Sequence, residues 1–491
     1  MKKIIRLFFS LHRVIGTIIA LFFLMWFLTG LVLIYHPYPR LSNAQKYALQ
    51  ETLPDSLPDI HTYMRSESEG IQNLRIRQFQ NQTLLSYTKN KKKHTRCADT
   101  LQNVLPITFA TAQTAAQRCL NANIRQVDTL HQREQWVLYS KYEQDLPIYR
   151  FYFNDPRQHE IFVSSRSGEV LQITNFQSRL WAWLGAIPHK FYLPFIRRDL
   201  DIWKVCITIG GILCTLAALT GIIITLHILQ KRHKQGNTFR NPYRKPSYRW
   251  HYTTGIIFGF FVLAWGISGI FSLQRIPQWL VPMEQEYIFR PSKMWGKKAL
   301  PLSDYRLDYR TLKNTYPDLK EVTWTHFGNI PAYEIISGEE KKYIDASTSE
   351  VKPLNIPQET ILAGIQKIHG KDCKFEINIL DEYDNYYLSR SLSLPLPVYK
   401  IEVDNQEKSL YYVCPTTGYI RYLNTNKKIK KWLFNGIHYL NIQCLTERPI
   451  LWTVLIWTLC LGGAAVSYTG VWLGYKYISR KIQRQKKTFQ P

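Results

Sequence analysis

Four long apolar runs alternate with two long polar blocks along this chain of 491 residues. The apolar runs cover residues 7–35, 205–229, 253–273 and 450–475. Each run is as long as the roughly 20 residues that a helix needs to cross the hydrocarbon core of a bilayer. The pattern therefore predicts four transmembrane helices, although the mean hydropathy of the whole chain is slightly negative at −0.23.

The polar blocks carry short stretches in which apolar and polar residues alternate, as they do in half-buried strands. The turns Ser167-Gly168 and Thr417-Gly418 separate such stretches in the first and second block. Strands are predicted at residues 149–153, 161–163, 169–173, 399–403, 410–413 and 419–423, and amphipathic helices ahead of them at 108–120 and 358–369. Each block is expected to form a small α+β domain with an antiparallel sheet. Neither block carries a catalytic triad, paired carboxylates or a phosphate loop, which favours a binding, docking or shielding role.

The formal net charge of +27 is concentrated next to the apolar runs. The basic residues in question are Lys2, Lys3, Arg6, Arg13, Lys231, Arg232, Lys234, Arg240, Arg244, Lys245, Arg249, Lys476, Arg480, Lys481, Arg484, Lys486 and Lys487. Lysine and arginine in short loops beside spans mark the cytoplasmic side. Both termini are therefore expected in the cytoplasm and both polar blocks outside it. A nucleic-acid partner is not expected, because the basic residues do not form a face of one soluble domain.

The two halves of the chain repeat the same residues at the same spacing. The matching sets are His12, Gly16, Trp26 and Gly30 with His251, Gly255, Trp265 and Gly269, and His189, Trp203, Thr220 and Gly221 with His438, Trp452, Thr469 and Gly470. The polar blocks repeat a Leu-Pro-x-Tyr segment at residues 146–149 and 396–399. We interpret the chain as an internal duplication of a unit that consists of a span, an exported domain and a second span.

His12 and His251 lie at the predicted cytoplasmic ends of the first and third spans. Small residues follow each histidine at intervals of four, on the same helix face; they are Gly16, Ala20, Gly255 and Gly259. A groove of this kind suits a flat macrocycle, and two neutral imidazoles can occupy both axial positions of a haem iron. Zinc would require further cysteine or carboxylate ligands, and none is apparent in either span. The sequence therefore predicts an inner haem between these histidines.

Two alternatives stay open for this inner pair. Gly255 and Gly259 also form a small-x-x-x-small pattern, which lets transmembrane helices pack closely. In addition, His227 and His233 at the inner end of the second span could serve as ligands instead.

His189 and His438 precede the second and fourth spans, in aromatic segments that suit helices lying on a membrane surface. They are predicted to ligate an outer haem, with His36 as an alternative ligand. Nearby arginines could bind haem propionates or, equally, lipid phosphates; they are Arg197, Arg198 and Arg448. Trp26 and Trp265 fall in mid-membrane by position, where they are either core side chains or lie between the two centres.

The eight cysteines show neither a CxxC motif nor a zinc spacing. Cys97 with Cys119, and Cys373 with Cys414, are pairs within each polar block. An oxidising compartment would permit a disulfide in either pair, and both the paired and the free state stay open.

The chain resembles the PepSY-associated transmembrane family, which includes iron-regulated membrane proteins and ferric-siderophore reductases. The resemblance covers nearly the whole chain and rests on His12-Arg13-x-x-Gly16, Trp26-x-x-Thr29-Gly30, the Thr-Gly pairs at 220–221 and 469–470, and the strand–Gly–strand segment at 167–171. It implies four membrane helices, two b-type haems on opposite faces and electron delivery to iron chelates outside the cytoplasmic membrane. The sequence departs from the family pattern at 415–418 and around His189.

The predicted fold is a membrane α-helical protein with four transmembrane helices, internally duplicated, that carries two exported α+β PepSY-like domains. The predicted order is transmembrane helix 1 at 1–36, exported domain at 37–180, interfacial segment and helix 2 at 181–230, basic cytoplasmic loop at 231–250, helix 3 at 251–275, second exported domain at 276–431, interfacial segment and helix 4 at 432–476, and cytoplasmic tail at 477–491.

The expected function is electron transfer through two haems in a bacterial cytoplasmic (inner) membrane, as in an oxidoreductase of the ferric-chelate reductase type. The expected partners are the lipid bilayer, an electron donor that the sequence does not name, and a ferric siderophore or other acceptor in the periplasm. The alternative is a non-enzymatic, membrane-anchored PepSY protein that restrains a peptidase or senses a ligand. A transporter is not favoured, since the spans carry few polar residues near their middle.

Overall fold

The computed structural model describes residues 2–60, 70–100, 102, 106–236 and 241–488. Residues 237–240 of the predicted basic loop, which include Arg240, and residues 489–491 of the predicted tail lie outside the described residues.

Four helices in the described residues are long and apolar enough to cross a membrane, which confirms the four predicted spans. They are α1 (Lys2–Tyr35), α2 (Leu200–His233), α3 (Pro246–Ile270) and α4 (Pro449–Thr488). Local signals set where the middle two begin. The side chain of Asp199 accepts hydrogen bonds from the first backbone N–H groups of α2, and Pro246 occupies the first position of α3, where a missing N–H costs nothing.

The four long helices form a bundle in which α1 and α3 each pack against both α2 and α4. Helices α1 and α3 therefore lie diagonally opposite each other. Glycines bring the helices close together: a Cβ at Gly266 would lie 3.2 Å from the backbone nitrogen of Thr215, and one at Gly463 would lie 2.5 Å from the ring of Phe27. The interior is apolar and includes Ile19, Phe23, Phe27, Cys214, Ala217, Val262 and Ala464.

The regions on the far side of the bundle from the α2–α3 loop contain short helices. These are Asn43–Ala48, Phe109–Cys119, Phe176–Leu184, Ala186–Lys190, Pro194–Arg197, Ser292–Trp295, Leu312–Thr315, Gln358–His369, Thr425–Lys430, Ile437–Tyr439 and Gln443–Thr446, with 3₁₀ turns at Ser140–Asp145, Leu302–Asp304 and Tyr309–Thr311 and a π-helical turn at Lys431–Gly436. The two amphipathic helices predicted at 108–120 and 358–369 are confirmed to within one residue.

The described residues form three antiparallel sheets. Their strands are β1 (Gln72–Phe79), β2 (Gln82–Lys89), β3 (Lys92–Cys97), β4 (Ile124–Leu130), β5 (Ile148–Phe153), β6 (Glu160–Ser164), β7 (Val170–Thr174), β8 (Leu319–Phe327), β9 (Ile330–Ser337), β10 (Glu340–Asp345), β11 (Lys352–Pro353), β12 (Phe375–Leu380), β13 (Val398–Val403), β14 (Leu410–Val413) and β15 (Ile420–Leu423). Two of the sheets have four strands each, in the orders β4-β5-β6-β7 and β12-β13-β14-β15. Their last three strands lie within one residue of the predicted positions.

Each four-stranded sheet is covered by one of the amphipathic helices. Ala112 and Ala116 of the first helix pack against Phe151 and Val163 of the first sheet. In the second sheet, Ile361 and Ile365 of the other helix pack against a core that includes Ile401, Tyr411 and Val413. Each predicted α+β unit is therefore present, and each is followed by a series of short helices, one of which carries an outer histidine.

A third sheet joins the two polar blocks, which the sequence pattern did not indicate. It has seven strands in the order β11-β10-β9-β8-β1-β2-β3, so that strands of the first block pair with strands of the second. The junction is the β1–β8 pairing, in which Arg75, Ile76 and Arg77 lie opposite Thr323, Val322 and Glu321. The regions predicted as separate exported domains at 37–180 and 276–431 therefore share one sheet and one hydrophobic core.

All eight cysteines are free. Neither Cys97 with Cys119 nor Cys373 with Cys414 forms the disulfide that the sequence left open. Burial raises the pKa of the Cys119 thiol to about 11, so this thiol is protonated at neutral pH.

Candidate functional site

His12 on α1 and His251 on α3 face each other across one end of the bundle. Their ring centres are 6.1 Å apart, and their ring planes make an angle of 41°. Because α1 and α3 lie diagonally opposite each other, the two side chains point toward each other across the interior of the bundle. We refer to these two residues as the inner pair.

His189 and His438 face each other at the opposite end of the bundle. Their ring centres are 6.4 Å apart, at an interplanar angle of 67°. They lie in the short helices Ala186–Lys190 and Ile437–Tyr439, which pack against α1 and α3 respectively. His189 contacts Trp26, which is 14 residues, or about 21 Å of helix, beyond His12 along α1. We refer to these two residues as the outer pair.

The separation in both pairs equals that of two imidazoles on opposite sides of one metal ion. A metal–nitrogen bond is about 2 Å long, and each nitrogen lies about 1 Å from its ring centre, so the two ring centres are about 6 Å apart. The described residues contain no group of three or more His, Cys, Asp and Glu side chains that could hold a metal ion. Each pair can therefore supply two protein ligands, and a metal held there needs its other ligands from elsewhere.

Backbone carbonyls fix the tautomer of one histidine in each pair. Nδ1 of His12 donates to the carbonyl oxygen of Ala217 at 2.9 Å, and Nδ1 of His189 donates to that of Trp26 at 3.1 Å. A carbonyl oxygen only accepts hydrogen bonds, so the proton is on Nδ1 and the lone pair is on Nε2. This is the form in which histidine ligates a metal while a backbone group orients its ring.

Hydroxyl groups fix the other two histidines in the same form. Oγ1 of Thr469 donates to carbonyl oxygens of its own helix, so at 3.0 Å it accepts from Nδ1 of His251. Oγ of Ser268 donates to the carbonyl oxygen of Trp265 and accepts from Nδ1 of His438, also at 3.0 Å. In the described part of the chain no protein group bonds Nε2 of any of the four histidines, which leaves this nitrogen available.

The Thr-Gly pairs noted in the sequence lie beside the histidine rings. Thr220 is 3.3 Å from Nδ1 of His12, and a Cβ on the next residue, Gly221, would lie only 2.8 Å from Cε1 of the same ring. Thr29 is likewise 3.3 Å from Nδ1 of His189, and a Cβ at Gly30 would lie 3.2 Å from its Cε1. The hydroxyl residue therefore orients the ring, and the glycine makes room for it.

Two tryptophans hold the outer pair. The indole N–H of Trp203 donates to the carbonyl oxygen of Lys190 at 2.7 Å, and that of Trp452 donates to the carbonyl oxygen of Tyr439 at 3.0 Å. In both cases the accepting residue directly follows a histidine. The matched spacing of 14 residues between histidine and tryptophan thus has a structural reason. In each half, a hydrogen bond from the tryptophan holds the short helix with the histidine against the start of α2 or α4.

Comparison with known families agrees with these repeated contacts. The family model described as the PepSY-associated TM region matches residues 9–476, which is nearly the whole chain. The chain belongs to this family. No curated protein matches it.

In this PepSY-associated protein the outer pair faces a cavity of about 650 Å³. The cavity extends from the histidines into the bundle as far as Phe23, and its volume is within the range of roughly 300–1,000 Å³ typical of ligand sites. Nearly half of the residues in its walls are aromatic or glycine, among them Trp26, Phe27, Gly30, Trp203, Trp265, Gly266, Gly269 and Trp452. Burial lowers the pKa of His189 to about 3 and that of His438 to about 4, so both rings are neutral at physiological pH.

The three arginines predicted to bind carboxylates, Arg197, Arg198 and Arg448, are not among the described residues that line this cavity. Arg198 donates to the carbonyl oxygen of Arg133 and to Oε1 of Gln132, which occupies donors that a ligand would need. Arg197 is buried, with its guanidinium carbon 4.3 Å from the ring centre of Trp203. Its Nε and Nη1 have no hydrogen-bond partner in the described residues. Arg197 therefore lies behind the cavity wall, because the rings of Tyr192 and Trp203 that it contacts line the cavity.

Two other cations line the cavity instead. Lys190 directly follows His189, and Arg390 reaches the cavity from a loop of the second polar block. The guanidinium carbon of Arg390 is 3.6 Å from the ring centre of Trp452. No sequence signal points to Arg390, since it lies 48 residues before His438 and outside any repeated motif.

The glycines near the inner pair and the alternative histidine ligands complete the set of predicted site residues. A Cβ at Gly16 or Gly255 would meet nothing within 4 Å, so the space along the inner histidines is open, and at Gly259 it would meet only Ile222 at 3.8 Å. His36 stacks on Trp181 with ring centres 4.2 Å apart, and it is not among the described residues that line the cavity beside the outer pair. The ring that faces His12 is that of His251, rather than that of the alternatives His227 and His233.

Trp26 and Trp265 both line the outer cavity, on the side that leads toward the inner pair. The ring centre of Trp265 is 5.3 Å from that of Phe27, and its indole N–H donates to the carbonyl oxygen of Ile437. Ser268 is a site residue that was not predicted. It could have been found by aligning Trp26-x-x-Thr29-Gly30 with Trp265-x-x-Ser268-Gly269, since serine and threonine carry the same hydroxyl group.

Proposed function

We propose that this protein holds one haem b between His12 and His251 and a second between His189 and His438, and that it carries electrons across the membrane. The acceptor that we propose is a ferric-siderophore complex on the side of the sheets, so that the protein acts as a ferric-chelate reductase in iron uptake. The observation that carries this proposal is the separation of 6.1 and 6.4 Å in two histidine pairs at opposite ends of one bundle.

Haem suits the two pairs because a porphyrin provides the four in-plane ligands that the protein does not offer. The described residues place no third Cys, Asp, Glu or His with either pair, as a structural zinc site would require. The space beside Gly16 and Gly255 is open at the inner pair, and a cavity lined in part by Gly30 and Gly269 adjoins the outer pair, which leaves room for a flat group. Bound haem would supply reversible one-electron chemistry near each membrane face.

The side chains of this protein account for binding and orientation. The carbonyl and hydroxyl acceptors keep each Nδ1 protonated and each Nε2 ready to ligate, and such partners typically change metal affinity by about 10–100-fold. The aromatic walls of the outer cavity exclude water, and Lys190 and Arg390 are cations placed to bind carboxylates at its edge.

We further infer the finer organisation of the chain. The two halves arose by duplication of a span–domain–span unit, both termini are cytoplasmic, and the sheets are periplasmic to a bacterial inner membrane. The matched contacts of Thr29 and Ser268, and of Trp203 and Trp452, support the duplication. The basic residues in the α2–α3 loop support the orientation.

An optical spectrum of the detergent-purified full chain, before and after dithionite, tests the proposal. We expect a low-spin b-type signal that falls by half in His12→Ala and by half in His438→Ala, with the two losses additive in the double variant. The matched controls are His227→Ala at the inner end and His36→Ala at the outer end, which remove histidines outside the pairs and should leave the full signal.

A colourless wild-type protein with full membrane insertion would contradict the proposal. It would favour the alternative, an anchored PepSY protein that restrains a peptidase or senses a ligand. Loss of the whole signal in either single variant would also contradict two independent centres. Activity toward ferric siderophores is a separate measurement, in which purified protein reduced by dithionite is mixed with the chelate and its reoxidation is followed.

A further inference from the structure

Three cations surround the ring of Tyr287, just beyond the end of the membrane helix α3. The guanidinium carbon of Arg275 is 4.3 Å from the ring centre, and the ammonium nitrogens of Lys427 and Lys430 are 5.5 Å and 5.4 Å from it. All three charges therefore lie within a few ångströms of one ring. We call Arg275, Lys427, Lys430 and Tyr287 the Tyr287 cluster.

The three cations of this cluster are not held in ion pairs: in the described part of the chain no carboxylate oxygen lies within 4 Å of any of them. The carboxylate of Glu407 is near enough to favour the charged form of Lys427, while its oxygens accept from Tyr422, Ser409 and Asn424. One carboxylate therefore offsets only part of the three positive charges. Like charges this close repel one another, and desolvation adds to the cost. Burial lowers the pKa of Lys427 to about 8, which shows that its environment disfavours the ammonium form.

The cluster lies beside apolar side chains that project from the protein. Trp279 is 84 % exposed, Leu280 is 61 % exposed and Ile288 is 68 % exposed. They belong to the segment that follows α3, whose last helical residue is Ile270. Exposed tryptophan next to a transmembrane helix end is typical of the membrane–water interface, with basic residues at the level of the headgroups.

We propose that the Tyr287 cluster binds the phosphate of an anionic phospholipid, in the leaflet on the side of the sheets, while Trp279 and Leu280 insert among its acyl chains. Three cations around one site match a phosphate better than a neutral zwitterionic headgroup, whose own ammonium group would be repelled. The corresponding segment of the first half, Phe176–Leu184, carries one cation, Arg179, and this is paired with Glu160. The helix that supplies two of the cluster's cations therefore differs between the two halves, and the site does not depend on haem.

The test uses the full chain in nanodiscs of mixed phosphatidylglycerol and phosphatidylcholine, with the lipids that stay bound identified by native mass spectrometry. The variant is Arg275→Gln with Lys430→Gln, since neither side chain donates a hydrogen bond within the described residues. We expect the preference for phosphatidylglycerol to fall roughly fivefold for each cation removed. The control, Lys91→Gln with Lys92→Gln, removes the same charge from the β2–β3 hairpin and should keep the wild-type preference.

A second arm distinguishes lipid from soluble anion. Inorganic phosphate is added to the protein in nanodiscs of phosphatidylcholine alone, and the midpoint of thermal unfolding is compared with that in phosphatidylglycerol nanodiscs. We expect a higher midpoint with phosphatidylglycerol and no rise with phosphate. The proposal is overturned if phosphate gives the same rise, or if the double variant and its control retain phosphatidylglycerol equally.

Discussion

The inner and outer histidine pairs have nearly the same separation but are held in different ways. His12 and His251 project from long helices, whose relative position follows from the packing of the bundle. His189 and His438 lie in helices of five and three residues, which are too short to be stable alone. A transmembrane helix thus positions a ligand through its own regularity, whereas a short segment depends on hydrogen bonds from other parts of the chain.

For the two haem centres that we propose, this difference implies different responses to substitution. The inner pair should be sensitive to the shape of α2 and α4, which pack directly beside its rings. The outer pair should be sensitive to the tryptophans and hydroxyl groups that hold its segments. Substitutions that affect both centres equally would contradict this distinction.

The largest effect is expected from Gly221→Ala, and only at the inner pair. Its Cβ would lie 2.8 Å from Cε1 of His12, a ring already bonded to Ala217 and Thr220. The ring can move aside only by breaking these bonds, so we expect occupancy of the inner centre to fall by about 10–100-fold. Haem content and the reduced optical spectrum measure the loss, with the outer signal unchanged.

Gly470→Ala is the matched control for Gly221→Ala. It lies at the equivalent position of the other half, but its Cβ would be 3.6 Å from Cε1 of His251, an ordinary contact. We expect nearly full inner occupancy. Equal losses in both variants would mean that glycine acts there on helix packing rather than on the histidine ring.

The next effect is expected at the outer pair, from Ser268→Ala. Nδ1 of His438 bonds to Ser268, and no other partner is seen for it in the described residues. Thr29→Val is the comparison, because His189 keeps the carbonyl of Trp26 when Thr29 is lost. We expect roughly tenfold weaker ligation in Ser268→Ala and a smaller change in Thr29→Val, measured by titration of haem into haem-depleted protein. The reverse order would show that the hydroxyl of Thr29, not the carbonyl, orients His189.

A smaller effect is expected from Trp452→Phe, which removes one hydrogen bond and keeps an aromatic ring. The lost bond to the carbonyl of Tyr439 is worth about 1 kcal/mol, or roughly fivefold in outer-centre affinity. Trp472→Phe, on the same helix but exposed, should have no effect. A loss at the inner centre in Trp452→Phe would contradict a local role for this bond.

The same contrast explains what the sequence could predict. The long helices, the inner histidines and the strands of both four-stranded sheets follow from local periodicity, which a single chain displays directly. The matched spacing of the two halves extended this reasoning to His189 and His438, because a residue found in one half has a counterpart in the other. The Thr-Gly pairs were visible as a repeated motif, but their contacts with the rings required coordinates.

Features that depend on distant segments could not be predicted in this way. The seven-stranded sheet pairs Arg75 with Thr323, and no local pattern reveals a partner 248 residues away. Arg197 and Arg198 are near His189 in sequence, yet the chain turns them toward Trp203 and Arg133. Arg390, which is far away in sequence, reaches the cavity because its loop folds back onto α4.

The smallest effect, from Arg390→Gln, concerns the charge around the outer pair alone. Arg390 lines the outer cavity, and no carboxylate pairs with it in the described residues. A nearby positive charge stabilises the reduced form of a metal centre, so its removal should lower the outer midpoint potential by roughly 20–40 mV, as expected for a partly solvated charge at the edge of the cavity. Arg448→Gln, an exposed arginine near the start of α4, is the control and should shift neither potential. Potentiometric titration measures the midpoint potentials of the two proposed centres separately. The charge of Arg390 is too far from the inner pair to act on it directly, because it is screened over the length of the helices. A shift in the inner potential would therefore mean that the substitution changes the fold of the bundle.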